Sequence, residues 1–248
     1  MSLTDNFLRG QAVSRKIRDS VKRKPITSRL LALFSFLTVE VVLIGAVFTV
    51  SLLLFFYLTR VVFVAHSAQF DDWGFQQADK LRAFWSWLTP VARFVTFFAS
   101  FPFLALAGIL GPVVLRWRGH KREALEVFLA VLGASLFNQL LKTHYHRSRP
   151  SSALVFQPGL SFPSGHAMIG MALYGCLAWL LWRHRRHPVW AGLLVLWAVL
   201  IGFTRVYLHV HYPTDVLAGF AAGLLWLILL RTALRLWWRE GKELGIEN

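Results

Sequence analysis

Six runs of apolar residues, each near the ~20 that an α-helix needs to cross a bilayer, leave this chain little choice of architecture. They occupy residues 30–58, 94–115, 124–141, 167–182, 189–208 and 216–230. With 56% of its 248 residues hydrophobic, the chain is too apolar to cover its own surface as a soluble domain of this length. The expected fold class is therefore all-α, a polytopic membrane protein with six transmembrane helices. Residues 69–89 differ in character: Leu81, Phe84, Trp85 and Leu88 recur at i, i+3, i+4 and i+7, with Asp79, Lys80 and Arg82 on the other side. That pattern describes an additional amphipathic helix lying at the interface.

The formal net charge is +15, but the basic residues gather in the connections and in the first 29 residues rather than over a soluble face. Topology accounts for this charge better than nucleic-acid binding does. Segments 1–29, 116–122, 183–186 and 231–242 hold 19 of the 27 Lys and Arg, and the other eight fall to the opposite side. The positive-inside rule then puts both termini in the cytoplasm. The first apolar run is longer than the roughly 7 to 15 residues of a secretory signal, so it reads as an uncleaved helix. This gives a basic cytoplasmic tail at 1–29, a six-helix membrane domain at 30–238 and a cytoplasmic C-terminal tail at 239–248, without repeats. Glu40 interrupts the first run and is expected to be neutral or hydrogen-bonded to a neighbouring helix. Asn138 and Gln139 are expected to hydrogen-bond between helices. The single cysteine, Cys176, lies within an apolar run and supports neither a disulfide framework nor a thiolate metal site.

Three polar stretches fall on the predicted outer side, each at the end of an apolar run: KTHYHRSRP (142–150), FPSGHAM (162–168) and TRVYLHVHYPTD (204–215). Charge placed beside lipid is costly and points to function. In the middle stretch, Ser164 is a favoured N-cap, Gly165 admits a close ligand, and the free N–H groups of a helix start suit an anion such as a phosphoryl group. In the first, Lys142 supplies a point charge and Arg149 a planar fork, a useful pair for a tetrahedral dianion. His144, His146 and Arg147 read as a solvated basic loop; with no carboxylate or thiolate nearby, His144 and His146 make a poor metal site. In the third, His211 and Asp215 stand at i and i+4. The carboxylate can then accept from one ring nitrogen and leave the other free as a nucleophile. Taken singly, each stretch has a bland structural reading. Their convergence on one face does not.

Lys142, six residues, then Arg149-Pro150; Pro163-Ser164-Gly165-His166; and Arg205, five residues, His211, three residues, Asp215 together resemble the tripartite signature of the type 2 phosphatidic acid phosphatase family. That family also embraces the vanadium-dependent haloperoxidases. One position departs from its pattern, since Thr204 stands where Ser is usual before the third-block arginine; the hydroxyl is kept, so little consequence is expected. The resemblance implies that His211 attacks phosphorus to form a phosphohistidine while Asp215 fixes its tautomer. It also implies that His166 protonates the leaving oxygen and then activates water, and that Lys142, Arg149, Arg205, the Ser164 hydroxyl and the Gly165 N–H hold the nonbridging oxygens. No metal and no cofactor are implied. A neutral His211 working with a protonated His166 calls for a bell-shaped pH profile.

An isoprenyl (undecaprenyl) diphosphate is the first expected substrate, with phosphatidylglycerol phosphate and phosphatidic acid as alternatives, in a bacterial inner membrane with the site on its outer face. The expected partners are thus the lipid substrate and the membrane, not nucleic acid. An anionic-lipid transporter or binding protein could use the same cations. Such a protein usually keeps its polar groups near the bilayer midplane, whereas here they gather at one side.

Overall fold

The computed structural model describes residues 39–184 and 188–243, with side chains over 41–184 and 188–238. The described residues form eight helices: α1 (Val39–Phe63), α2 (Gln69–Phe84), α3 (Leu88–Phe97), α4 (Phe101–Trp117), α5 (Lys121–Tyr145), α6 (Gly165–Arg183), α7 (Pro188–Tyr207) and α8 (Pro213–Glu243). Among the described residues, six stretches are long and apolar enough to cross a membrane, with α3 and α4 together supplying the second, Leu88–Trp117. The all-α, six-span class expected from the sequence is the one found. The N-terminal tail, the start of the first run and the Glu40 side chain lie outside the described residues, as do Arg185 and Arg186. The polar site lies entirely within one compact unit that begins at Val47.

Two details differ from the sequence reading. The amphipathic helix ends at Phe84 rather than near residue 89, and the second apolar run is broken at 98–100. Ser100 is extended there (ψ 154°), and Pro102 stands in the first turn of α4, where a missing N–H costs nothing. The break frees the carbonyl of Phe98, which accepts a hydrogen bond from the buried Tyr174 hydroxyl at 2.7 Å.

Helix α6 is the centre of the bundle and packs against α4, α5, α7 and α8. Helix association within lipid relies on close packing, since lipid tails are as apolar as the side chains themselves. Gly219 and Gly223 on α8 supply that closeness. A Cβ on Gly219 would lie 2.7 Å from the Ser164 carbonyl oxygen, and one on Gly223 would lie 2.5 Å from that of Met168. Ser164 and Met168 thus meet α8 backbone to backbone, which brings the start of α6 to the start of α8. Gly223→Ala should lower the melting temperature in detergent even though alanine is the better helix former by ~1 kcal/mol. An unchanged or higher melting temperature would show the seam to be loose.

Outward faces carry exposed Leu53, Phe56, Ile109, Leu136, Val199 and Leu229, as a lipid-facing belt requires. At one end of the bundle an aromatic box forms. Phe63 stacks on Tyr145 at 4.8 Å, and Phe162 meets both edge-on at 5.2 and 5.1 Å. Such pairs contribute about 0.5–1.5 kcal/mol each beyond area burial. Their effect is to hold Phe162, and with it the cis Phe162–Pro163 peptide and Ser164, against α1 and α5. Asn138 assists by donating to the Pro163 carbonyl at 3.3 Å, and its amide also reaches Met168 Sδ on α6 at 3.5 Å, the interhelical contact expected, whereas Gln139 is exposed.

Candidate active site

The three polar stretches come together at the ends of α5, α6, α7 and α8. Helix α5 stops because His146 adopts a left-handed conformation (φ 49°) with its N–H on the Lys142 carbonyl. Lys142 therefore sits in the last helical turn, and Arg147 and Arg149 lie beyond the bend. At the other side of the site, Ser164 N–H donates to the Asp215 carbonyl at 3.0 Å and clips the start of α6 to the start of α8.

Lys142, Arg149, Gly165, His166 and His211 line one cavity of about 430 Å³. Its walls continue along apolar side chains of α4 and α5, among them Phe101, Leu104, Ile109, Phe128, Val131 and Leu132. From Lys142 to Phe128 is 14 residues of helix, or roughly 21 Å at 1.5 Å per residue. His166 and Gln157 also line a second cavity, where Arg205 lies with Thr96 and Ser100. Arg205 is 3% exposed; its two terminal nitrogens donate to Thr96 Oγ1 at 2.7 Å and Gln157 Oε1 at 3.1 Å.

His211 is 1% exposed and Asp215 is fully buried. Arg149 Nη1, which can only donate, lies 3.0 Å from His211 Nε2. That nitrogen must therefore be the acceptor, and the proton of the neutral ring belongs on Nδ1. Nδ1 in turn faces Asp215 Oδ2 at 3.5 Å and Ser161 Oγ at 3.3 Å, while Ser161 donates to the same Oδ2. The geometry leaves a lone pair on Nε2, beside a guanidinium and at the wall of the cavity. Burial, against the opposing pull of Asp215, lowers the His211 pKa to about 3, and Arg149 and Arg205 add to the lowering. A folded-state value below the usual 6.5 means a neutral ring at every pH above about 3. The associated stability is complete above 6.5 and is lost as pH falls toward 3. Histidine ¹⁵N spectra at pH 5 should show His211 neutral and protonated on Nδ1; an imidazolium signal would contradict this.

Among the buried atoms of the described residues without a hydrogen-bond partner are Ser100 Oγ, at the second cavity, and two within the polar stretches, the Ser164 hydroxyl oxygen and Arg205 Nε. The expected side-chain cap by Ser164 is not made. Buried polar groups are rarely left unpaired, and these two fit an anionic oxygen. The remaining cations are held by backbone carbonyls: Lys142 donates to Leu160, and Arg149 to Gly159 at 3.0 Å and Val210 at 2.9 Å. Thr204 donates its hydroxyl to the Ile201 carbonyl at 2.6 Å, one turn back in its own helix.

Several residues had no conspicuous signal. Arg147 is not a solvated loop residue: it bridges Asp215 Oδ1 at 2.5 Å and Asp71 Oδ2 at 2.7 Å. His209 is also buried, tucked against Phe75 with Nδ1 3.0 Å from Ser152 Oγ. His144 and His146 are exposed, as expected. Ser161, Gln157 and Thr96 complete the set that sequence reasoning passed over.

The PAP2 superfamily matches residues 123–239, a range that contains all three polar stretches. A phosphatidylglycerophosphatase B of Bacillus subtilis is 35% identical over 192 residues, which cover 73% of this chain and 92% of that protein. An undecaprenyl-diphosphatase of Sulfolobus acidocaldarius is 42% identical over 64 residues, 25% of this chain and 28% of that one. Among solved structures, a transmembrane PAP2-type phosphatidylglycerolphosphate phosphatase from Bacillus subtilis superposes with a TM-score of 0.68 at 30% identity, covering 75% of this chain and 94% of its own.

Proposed function

This chain belongs to the PAP2 superfamily and is a membrane lipid phosphatase, and from that premise we propose that it cleaves a lipid phosphate through a phosphohistidine on His211. The observation that carries the reading is the pairing of Arg149 Nη1 with His211 Nε2, which makes Nε2 the unprotonated nitrogen. A phosphoryl group arriving there draws Arg149 onto its own oxygens, and Lys142, Arg205, the Ser164 hydroxyl and the Gly165 N–H take up the rest. Transfer of this kind needs chiefly positioning and fixed positive charge on the equatorial oxygens. Bond formation from Nε2 to phosphorus accompanies loss of the lipid oxygen, which His166 protonates. His166 then takes a proton from water as that water displaces His211 and releases phosphate. Asp215 stabilises the cationic phosphohistidine through Nδ1.

The lipid tail fits the apolar wall between α4 and α5, which leads from the charged end into the span of the bilayer. Phosphatidylglycerol phosphate is the leading substrate, supported by the relative whose length is almost wholly covered. Undecaprenyl diphosphate is the second reading, supported by the shorter and more identical match. The charge asymmetry of the connections supports cytoplasmic termini and a site on the outer face of the membrane.

Phosphate release from the purified protein, measured with phosphatidylglycerol phosphate, phosphatidic acid and undecaprenyl diphosphate in excess chelator, tests the proposal. Turnover should persist in chelator, with the preferred lipid at least about tenfold ahead in kcat/KM. A strict requirement for added Mg²⁺ would contradict the mechanism, and equal rates on all three lipids would contradict a tuned substrate site.

A further inference from the structure

Asp71 lies on the interfacial helix α2, far from the three polar stretches in sequence, yet it is 1% exposed. An acidic residue in the first turn of an amphipathic helix ordinarily faces water. Here Gly74, one turn on, lies under Pro213 so closely that a Cβ would come within 2.4 Å of its ring, and α2 is thereby pressed onto the start of α8. Asp71 Oδ1 accepts from the Thr214 N–H at 2.9 Å, which caps α8 from a different helix. Its Oδ2 accepts from Thr214 Oγ1 at 2.9 Å and Arg147 Nη2 at 2.7 Å.

The other arm of Arg147 donates to Asp215 Oδ1 at 2.5 Å and Thr214 Oγ1 at 2.8 Å, while its guanidinium carbon stands 3.9 Å from the centre of the Tyr212 ring. Asp215 Oδ2 is left to Ser161, to the Tyr212 N–H at 3.0 Å and to His211. Charges therefore alternate from α2 toward the reacting ring, Asp71, Arg147 and Asp215, and the last of them faces the neutral His211. Arginine can grip one carboxylate with both arms. Asp71 engages one of those arms, so only the other reaches Asp215, and Oδ2 stays turned toward His211.

We propose that Asp71 is a positioning residue for the nucleophile, holding Arg147 to a single-armed contact with Asp215 so that Asp215 orients His211. The inference rests on the reading of His211 as nucleophile. Asp71→Asn keeps the volume and an acceptor for the Thr214 N–H but removes the charge that holds Arg147. In full-length protein assayed on its preferred lipid phosphate, this variant should lose about tenfold to a hundredfold in kcat with KM within about twofold of wild type. Asp71→Glu should recover part of the loss. Combining Asp71→Asn with Arg147→Gln should cost less than the product of the two single effects. The histidine ¹⁵N spectrum of Asp71→Asn should show the His211 Nδ1–H resonance shifted by a weakened contact with Asp215, the tautomer itself still being held by Arg149.

Wild-type kcat in Asp71→Asn, with His211→Ala inactive, would overturn the inference and leave the nucleophile in place. A fall in kcat with a lowered melting temperature and an unchanged His211 spectrum would also overturn it, by making Asp71 merely structural. Activity in His211→Ala would remove the nucleophile itself and the inference with it.

Discussion

His211→Ala is expected to leave a folded, membrane-inserted protein that releases phosphate at least about 10³-fold more slowly than wild type. The loss is large because the lone pair on Nε2 is at the cavity wall, Lys142 and Arg149 are cations engaged with carbonyl oxygens, and His166, on the same cavity, is the proposed proton carrier. Folding should survive because each partner of the ring keeps others. Asp215 retains Arg147, Ser161 and the Tyr212 N–H, and Arg149 retains the carbonyls of Gly159 and Val210. No charge is stranded, which is what makes removal of a buried partner severe elsewhere. Phosphate release and a detergent melting curve give the two halves of the test. Trapping with radiolabelled lipid phosphate supplies a third, since wild type should carry an acid-labile phosphoryl group that the variant lacks. Residual turnover above about one per cent of wild type would mean that phosphorus is attacked by something else.

What the sequence could reveal of this arrangement depended on how local each determinant was. The spans were legible because lipid demands a continuous apolar run and a helix supplies its own backbone hydrogen bonds. Pro102 was a visible signal for the break before α4, but inside a run of apolar residues it competed with an uninterrupted hydropathic pattern. The clustering of residues 142, 149, 164–166, 205, 211 and 215 could be read because their spacing within each stretch is short and each stretch begins or ends a helix. Arg147 could not. It alternates with His144, His146 and Arg149 in a basic segment, and only the left-handed turn at His146 decides which of these side chains goes inward. Asp71 and Ser161 were hidden for a different reason: they join the site through tertiary packing, 143 residues from Thr214 in one case and 54 from Asp215 in the other. Ser164 does stand at the N-cap of α6, but its hydroxyl is buried without a cap bond and the clip to α8 is made by the backbone N–H, for the same reason of tertiary packing.

Arg149→Lys should reduce kcat/KM by about 10²-fold to 10³-fold although the formal charge of the site does not change. Arg149 makes three contacts that diverge from one planar group: Nε to the Gly159 carbonyl, and Nη1 to the Val210 carbonyl and to His211 Nε2. They tie the segment between α5 and α6 to the one between α7 and α8, and they aim a donor at the position a phosphoryl oxygen takes when phosphorus approaches Nε2. A lysine ammonium is a compact point charge on a flexible stem and can satisfy one of these directions at a time. Lys142 already supplies such a charge from the end of α5, so a second one adds attraction without the fork. The consequence should fall on the chemical step: kcat should drop more than KM rises, because the lost donors matter most when charge develops on the equatorial oxygens. Arg149→Ala should lose activity further still, and the interval between the two variants separates charge from geometry. If Arg149→Lys matched wild type, net positive charge alone would explain the site, and the contact between Arg149 and His211 would be incidental to catalysis.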